Sequence, residues 1–402
     1  MRQASKAIPD SPYAWLTVGL AFISIFAVFG IYYSFGVFLK PMAVEFGASR
    51  ARTAMLFATT GVVFCVLGPV AGHLSDRISA RVIMAAGATA MAIGLVSTAF
   101  INGVWIGCLT YGIGVGLGAA CVYVPVLTVV GGWFIRRRGA ALGIAAAGSG
   151  CGMLGVAPLA AVLVERFGWR TADIVLGVAS GALLLICIAL IEPAPISLSP
   201  TKQKLGRTMR SPAFLTLYFS YMLARSALFV PLVYLPAFAR DHGASPVAAG
   251  ALLSLIGGAG IVGRVAFGAM GDRVGIVRLF KTAILAMGAS YALWFVLAAY
   301  GCLAMFAIAV GLAYGGASGL LPGVVIELFG IQGLGAALGG ILTSVGVASL
   351  LGPLLAGFLI DRTGSYQWAI AFALLTGIAS FAALLSLRPR PTAEHLAAAS
   401  AG

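Results

Sequence analysis

Two arginines lie in the middle of otherwise apolar sequence. Arg225 stands at the centre of the run 213–239, and Arg264 stands in the run 245–270, about six residues from its end. A charged side chain at the centre of a bilayer costs ~2.5–3.5 kcal/mol on insertion scales, so residues retained there mark function by default. Neither arginine has an acid at the same depth. Of eleven Asp and Glu, only Asp173 at the lip of the run 172–191 and Glu327 at the end of the run 302–328 come near the hydrocarbon. Two cations without a protein anion leave room for the carboxylate of a small organic anion, which a guanidinium fork holds in bidentate geometry. Each arginine also has a plainer reading. Arg264 is ~9 Å from its end at 1.5 Å per residue and within reach of snorkelling, and Arg225 could bond carbonyls of a broken helix.

Tyrosines supply hydroxyls at comparable depth: Tyr32 and Tyr33, Tyr123, Tyr218 and Tyr221, and Tyr314. A phenol facing lipid would leave its hydroxyl unsatisfied, so these rings are expected to face the bundle interior, for substrate or for internal packing. Tyr218, Tyr221 and Arg225 share one helical face, as do Gly257, Gly260, Arg264 and Gly268. No nucleophile is paired with a base and no metal-ligand cluster is present, so the chain reads as neither an enzyme nor a metal or cofactor protein. The six cysteines, all in apolar segments, read as small buried hydrophobes.

The elements that hold these residues follow from composition. Hydrophobic residues make up 61% of the 402, charged residues 9%, and the mean hydropathy is +1.06. Runs long enough to cross a hydrocarbon layer of ~30 Å occur twelve times. They span 14–39, 51–74, 82–100, 103–134, 139–164, 172–191, 213–239, 245–270, 277–300, 302–328, 333–359 and 367–387. The first run is too long for a signal peptide and lacks a small-residue cleavage site, so it reads as a span. The fold class is an all-α membrane protein of twelve transmembrane helices. The polar stretch 192–212, with Pro193, Pro195 and Pro200, divides it into a half at 1–191 and a half with tail at 213–402.

An internal repeat supports that division. Gly-x-x-x-Asp-Arg occurs at Gly72–Arg77 and again at Gly268–Arg273, and the same displacement of 196 carries Glu165-Arg166-x-Gly168 onto Asp361-Arg362-x-Gly364. Parallel duplication of a six-helix unit, with a site between the copies, resembles the plan of the major facilitator transporters. In that plan Asp76, Arg77, Asp272 and Arg273 would form a conformational latch, an Asp facing a helix N-terminus and an Arg facing carbonyls or a carboxylate. The net charge of +14 does not point to nucleic acid. With the N-terminus inside, sixteen Lys and Arg fall in inner loops and tails and seven in outer loops. That bias is topogenic and places both termini in the cytoplasm.

A closer resemblance lies in the run Trp133-Phe134-Ile135-Arg136-Arg137-Arg138-Gly139-Ala140-Ala141-Leu142-Gly143, continuing to Gly148. It resembles the helix 4–5 signature of the monocarboxylate porter family, which includes animal lactate and pyruvate carriers and bacterial oxalate/formate antiporters. Phe167-Gly168-Trp169-Arg170 looks like a second marker, and Asp10 with Trp15 is part of a third. The resemblance implies transport of a small monocarboxylate, the proton as coupling ion, a monomer in a cell membrane of the bacterial inner-membrane kind, and Arg264 as the carboxylate ligand. The animal aspartate four residues earlier is here Gly260, the animal helix-one lysine is here Tyr33, and 333–359 holds no Lys or Arg to match the second lysine of the oxalate exchanger. The other transport reading is an organic-anion exchanger of the oxalate/formate type that uses Arg225 and Arg264 together.

Overall fold

The computed structural model describes residues 11–134, 138–195, 210–296, 299–329 and 334–387, without the side chains of His73, Asp76, Arg77, Asp272 and of 138–140, 334–336 and 338–339. Every regular element among the described residues is helical. In chain order these are α1 (Pro12–Glu45), α2 (Arg50–Arg77), α3 (Ala80–Thr98) and α4 (Val104–Trp133), the last with a π-helical turn at Cys108–Gly112. A continuous helical stretch, Arg138–Leu190, then breaks at Gly168, whose φ is 80° and ψ 161°. Unbroken it would be ~80 Å long at 1.5 Å per residue, far more than one crossing needs. The break divides it into α5 (138–167) and α6 (169–190), and so turns eleven apolar helices into twelve spans. The remaining helices are α7 (Pro212–Asp241), α8 (Pro246–Val274), α9 (Ile276–Val296), α10 (Tyr300–Phe329), α11 (Leu334–Thr363) and α12 (Gln367–Leu385).

The helix pairs follow the repeat. Within the first six helices α1 packs on α5, α2 on α4, and α3 on α4 and α6. Within the last six α7 packs on α11, α8 on α10, and α9 on α10 and α12, which is the same set shifted by six. The two sets meet where α2 lies along α11 and α5 along α8. Most of the linker stretch, 196–209, lies outside the described residues.

Glycine explains why the repeat is legible at its turns. Gly168 and its counterpart Gly364 both adopt positive φ, 80° and 68°, a region that side chains with a Cβ avoid. The structure adds a pair that the motif search did not register. Gly47 and Gly243, also 196 apart, have φ of 56° and 88°. Each opens a Gly-Ala-Ser turn whose serine, Ser49 or Ser245, caps the next helix by accepting from the N–H of Arg52 or Ala248. The acids that end α1 and α7 are related in the same way. Glu45 accepts from Arg170 Nε at 3.0 Å, and Asp241 accepts from the Tyr366 hydroxyl at 2.7 Å. Burial, then the bond to Asp241, pushes the Tyr366 phenol above its usual range, so it remains a donor.

At that end of the bundle the two sets of helices are sealed to one another. Asp241 pairs with Lys40, and with Arg50 at 2.7 Å. Asp361 of α11 accepts from the backbone N–H groups of Arg50 and Ala51, at 3.1 and 3.0 Å. A carboxylate from one repeat thus caps the positive N-terminus of a helix in the other. Gly357 permits the approach, since a Cβ there would lie 2.6 Å from Ala51 Cα.

Candidate functional site

The two arginines come together around one tyrosine. α8 and α10 approach closely because both carry glycine at their contact. A Cβ on Gly315 would lie 2.6 Å from the carbonyl carbon of Gly260, and one on Gly263 would lie 2.9 Å from that of Leu312. With no side chains to hold the backbones apart, Arg264 of α8 and Tyr314 of α10 meet: Arg264 Nη2 donates to the Tyr314 hydroxyl at 3.4 Å, with Arg264 Cζ 5.7 Å from the ring centroid. The other terminal nitrogen, Nη1, is buried and has no hydrogen-bond partner among the described residues. A buried donor left unmade costs about 1–3 kcal/mol, more when charged. Arg264 therefore keeps one buried donor free to meet an acceptor.

Arg225 is differently held. Its guanidinium lies between two aromatic faces, with Cζ 4.7 Å from the ring centroids of both Tyr221 and Tyr314. Nη2 donates to the Tyr221 hydroxyl and, at 3.1 Å, to Ser318 Oγ. The Ser318 hydroxyl donates in turn to the Tyr314 carbonyl at 2.7 Å, one turn back on α10, which leaves its lone pairs turned to the arginine. Tyr221 and Arg225 are one turn apart on α7, so local geometry makes their contact and packing of α7 on α10 completes it. Two ring faces and two hydroxyls occupy this cation, whereas Arg264 has one long hydrogen bond.

The first repeat contributes aromatic hydroxyls. Tyr33 of α1 sets its hydroxyl against that of Tyr314 and feels the charge of Arg225. Tyr123 of α4 packs edge-on against Phe29, at 5.1 Å between ring centroids, and its hydroxyl feels the charge of Arg264. Tyr32 turns toward Ser349 of α11 and packs on Phe57 at 5.0 Å. Tyr218 accepts from Thr343 at 3.4 Å and stacks on Phe214, away from the arginines. Arg225, Arg264, Tyr314, Tyr33 and Tyr123 thus share one region, Tyr32 borders it, and Tyr218 lies outside it. The glycine face of α8 divides as well: Gly257 is filled by Met153 of α5, while Gly260 faces the Tyr314 ring at 3.6 Å from a would-be Cβ.

Asp76, Arg77 and Asp272 lie outside the described side chains, and Arg273 is exposed. The cross-repeat ionic seal that is visible, through Lys40 of α1, Arg50 of α2, Asp241 of α7 and Asp361 of α11, lies at the other end of α2 from Arg77. Sequence reasoning counted Lys40 and Arg50 only as outer-loop charges and Asp361 only as part of the repeat, and it passed over Ser318 because one serine in an apolar helix carries no signal. Spacing alone, the i+4 step from Tyr314 to Ser318, was the available hint. Asp173 is fully buried on α6, and neither carboxylate oxygen has a hydrogen-bond partner among the described residues.

The profile of the Major Facilitator Superfamily matches residues 21–333 and 217–402. Among curated proteins the chain is 32% identical to Monocarboxylate transporter 3 of Rattus norvegicus, over 89% of this chain and 76% of that protein. It is 30% identical to Monocarboxylate transporter 13 of Rattus norvegicus, over 94% of this chain and 90% of that protein. With Monocarboxylate transporter 2 of Homo sapiens identity is 28%, over 90% and 82%. Among solved structures, a bacterial homologue of the human lysosomal transporter Spinster, inward-facing and occupied, superposes with a TM-score of 0.76 at 16% identity, covering 94% of this chain and 95% of that one. The nucleoside transporter NupG superposes with 0.75 at 16% identity, covering 92% and 99%. These two similarities establish the shared fold.

Proposed function

We propose that this chain, which belongs to the monocarboxylate transporter family of the major facilitator superfamily, carries a small monocarboxylate of the lactate or pyruvate type by alternating access, with proton symport. It is a multi-pass membrane protein and a secondary transporter. The observation that carries it is the unpartnered Nη1 of Arg264, a buried cationic donor beside the Tyr314 hydroxyl. A carboxylate accepting from both terminal nitrogens would satisfy that donor and cancel a charge that is expensive at this depth. Arg264 then holds the carboxylate, Tyr123, Tyr314 and Tyr33 close around it, Tyr32 borders the site, and Arg225 braces Tyr314 from the far side.

Three further parts complete the reading. The halves 1–191 and 213–402 rock about the site, joined by 192–212. Both termini lie in the cytoplasm of a cell whose inner or plasma membrane holds the carrier, on the distribution of Lys and Arg. On that orientation the seal of Asp241 and Asp361 closes the outer end, so substrate in this state exchanges with the inside. The carrier acts as a monomer. Uptake of labelled L-lactate, pyruvate and oxalate into proteoliposomes, with and without an imposed pH gradient, tests the assignment. Monocarboxylate accumulation driven by an inward proton gradient is expected. Gradient-independent exchange with preference for oxalate would replace this reading with the exchanger one.

A further inference from the structure

Tyr314 is the point on which both buried cations converge. Its hydroxyl accepts from Arg264 Nη2 at 3.4 Å, and its ring lies 4.7 Å from the Arg225 guanidinium carbon. The titratable and charged groups that face it are Arg225 and Tyr221 from α7, Arg264 from α8, Tyr33 and Tyr32 from α1, and Tyr123 from α4. The acid nearest along its own helix, Glu327, is thirteen residues away, ~20 Å at 1.5 Å per residue. The carboxylates that form ion pairs among the described residues, Glu45 and Asp241, do so at the sealed end of the bundle. Two guanidiniums, which do not titrate, therefore converge on one phenol, and among the tyrosines of this region Tyr314 is the one that both of them contact.

We propose that the Tyr314 hydroxyl oxygen is the carrier of the coupling proton: a phenolate between Arg225 and Arg264 when the site is empty, and a phenol when a carboxylate is bound. The proposal rests on the reading of Arg264 as carboxylate ligand. The carboxylate enters as the anion and takes the open side of Arg264. One proton from the same compartment forms the O–H bond on Tyr314, and the phenol then donates to the carboxylate. At the other face the carboxylate leaves, the O–H bond breaks, its proton passes to water, and the oxygen returns to the guanidiniums.

Charge balance favours this assignment. Two guanidiniums and a phenolate leave one net positive charge in the empty site. Two guanidiniums, a phenol and a carboxylate leave the same charge in the loaded site. Without a titrating group the empty carrier would turn over with both cations uncompensated in a low-dielectric interior, where charge is costly.

The test uses the full chain in detergent with L-lactate as probe. Adding L-lactate to wild-type protein, across a pH series, is expected to remove the near-ultraviolet absorbance of one phenolate wherever the empty site shows it. Above the titration point of the empty site, L-lactate affinity should fall about tenfold per pH unit, the linkage slope for one proton taken up. Tyr314→Phe keeps the ring that stacks on Arg225 and removes the oxygen, so it should lose both the spectral change and the slope. The wild-type spectrum stands even if that variant folds poorly. L-lactate binding without phenolate loss overturns the proposal. So does a slope that survives in Tyr314→Phe, which would place the proton on the substrate, or one abolished by Asp173→Asn alone, which would place it on that buried carboxyl. Failure of wild type to bind either L-lactate or pyruvate overturns the monocarboxylate reading and this proposal with it.

Discussion

Replacing Arg264 by glutamine should abolish L-lactate binding while leaving the empty protein at least as stable as wild type. The two expectations come from one geometry. In the empty site Nη1 has no acceptor and Nη2 has one bond of 3.4 Å, near the limit of a hydrogen bond. Below the titration point of Tyr314, where its hydroxyl is a neutral phenol, little that stabilises the fold is lost with the guanidinium, and relief of an unsatisfied buried donor offsets about 1–3 kcal/mol. In the loaded site the same group is half of a desolvated ion pair, and truncating one partner of such a pair costs about 2–5 kcal/mol. At 1.4 kcal/mol per decade, that is a loss of affinity of about 30- to 4,000-fold. The assay is thermal unfolding of purified protein with and without L-lactate. At a concentration about 100 times the dissociation constant, wild type should gain about 2.7 kcal/mol, and a variant weakened about 1,000-fold should gain almost nothing. Arg264→Lys keeps the charge but not the planar fork, and should fall between the two in binding with severe loss of transport. A lower unfolding midpoint for the empty Arg264→Gln protein, with the L-lactate gain intact, would make Arg264 a structural residue and refute the argument.

Arg225→Gln should behave in the opposite way: it breaks bonds to Tyr221 and Ser318 and leaves their hydroxyls buried, so stability should fall by about 1–3 kcal/mol while monocarboxylate uptake falls only in part. If uptake is abolished as fully as in Arg264→Gln, and oxalate outcompetes L-lactate in wild type, both cations bind substrate. Asp361→Asn weakens the cap on the α2 N-terminus and should widen the distance distribution between spin labels at Ala48 and Ser365. A loss of about 1 kcal/mol shifts such an equilibrium about fivefold, and an unchanged distribution would show that the seal does not depend on this carboxylate. For the other end, Asp76→Asn and Asp272→Asn should change cysteine accessibility from the cytoplasmic side without altering L-lactate affinity. Unchanged accessibility in both would leave these turns as topogenic punctuation.

Much of the architecture is written along the chain. Lipid thickness sets a minimum length for every apolar run, so twelve spans can be counted, and even the 53-residue helical stretch had to break near Gly168. Duplication shows wherever one residue type alone fits the backbone, as at Gly168 and Gly364, though the same logic at Gly47 and Gly243 went unnoticed because a three-residue match is short. The cost of a charge in hydrocarbon singled out Arg225 and Arg264 without any structure. What surrounds those cations was decided by tertiary packing. Periodicity gives depth and face but not which helix lies opposite. That Ser318 and two rings enclose Arg225, that glycines bring Tyr314 onto Arg264, and that one of its nitrogens is left unpartnered depend on contacts 50 and 93 residues apart in sequence. Lys40, Arg50, Asp241 and Asp361 showed no connection to one another along the chain for the same reason. They became a seal only when helices from the two repeats placed them within hydrogen-bonding distance.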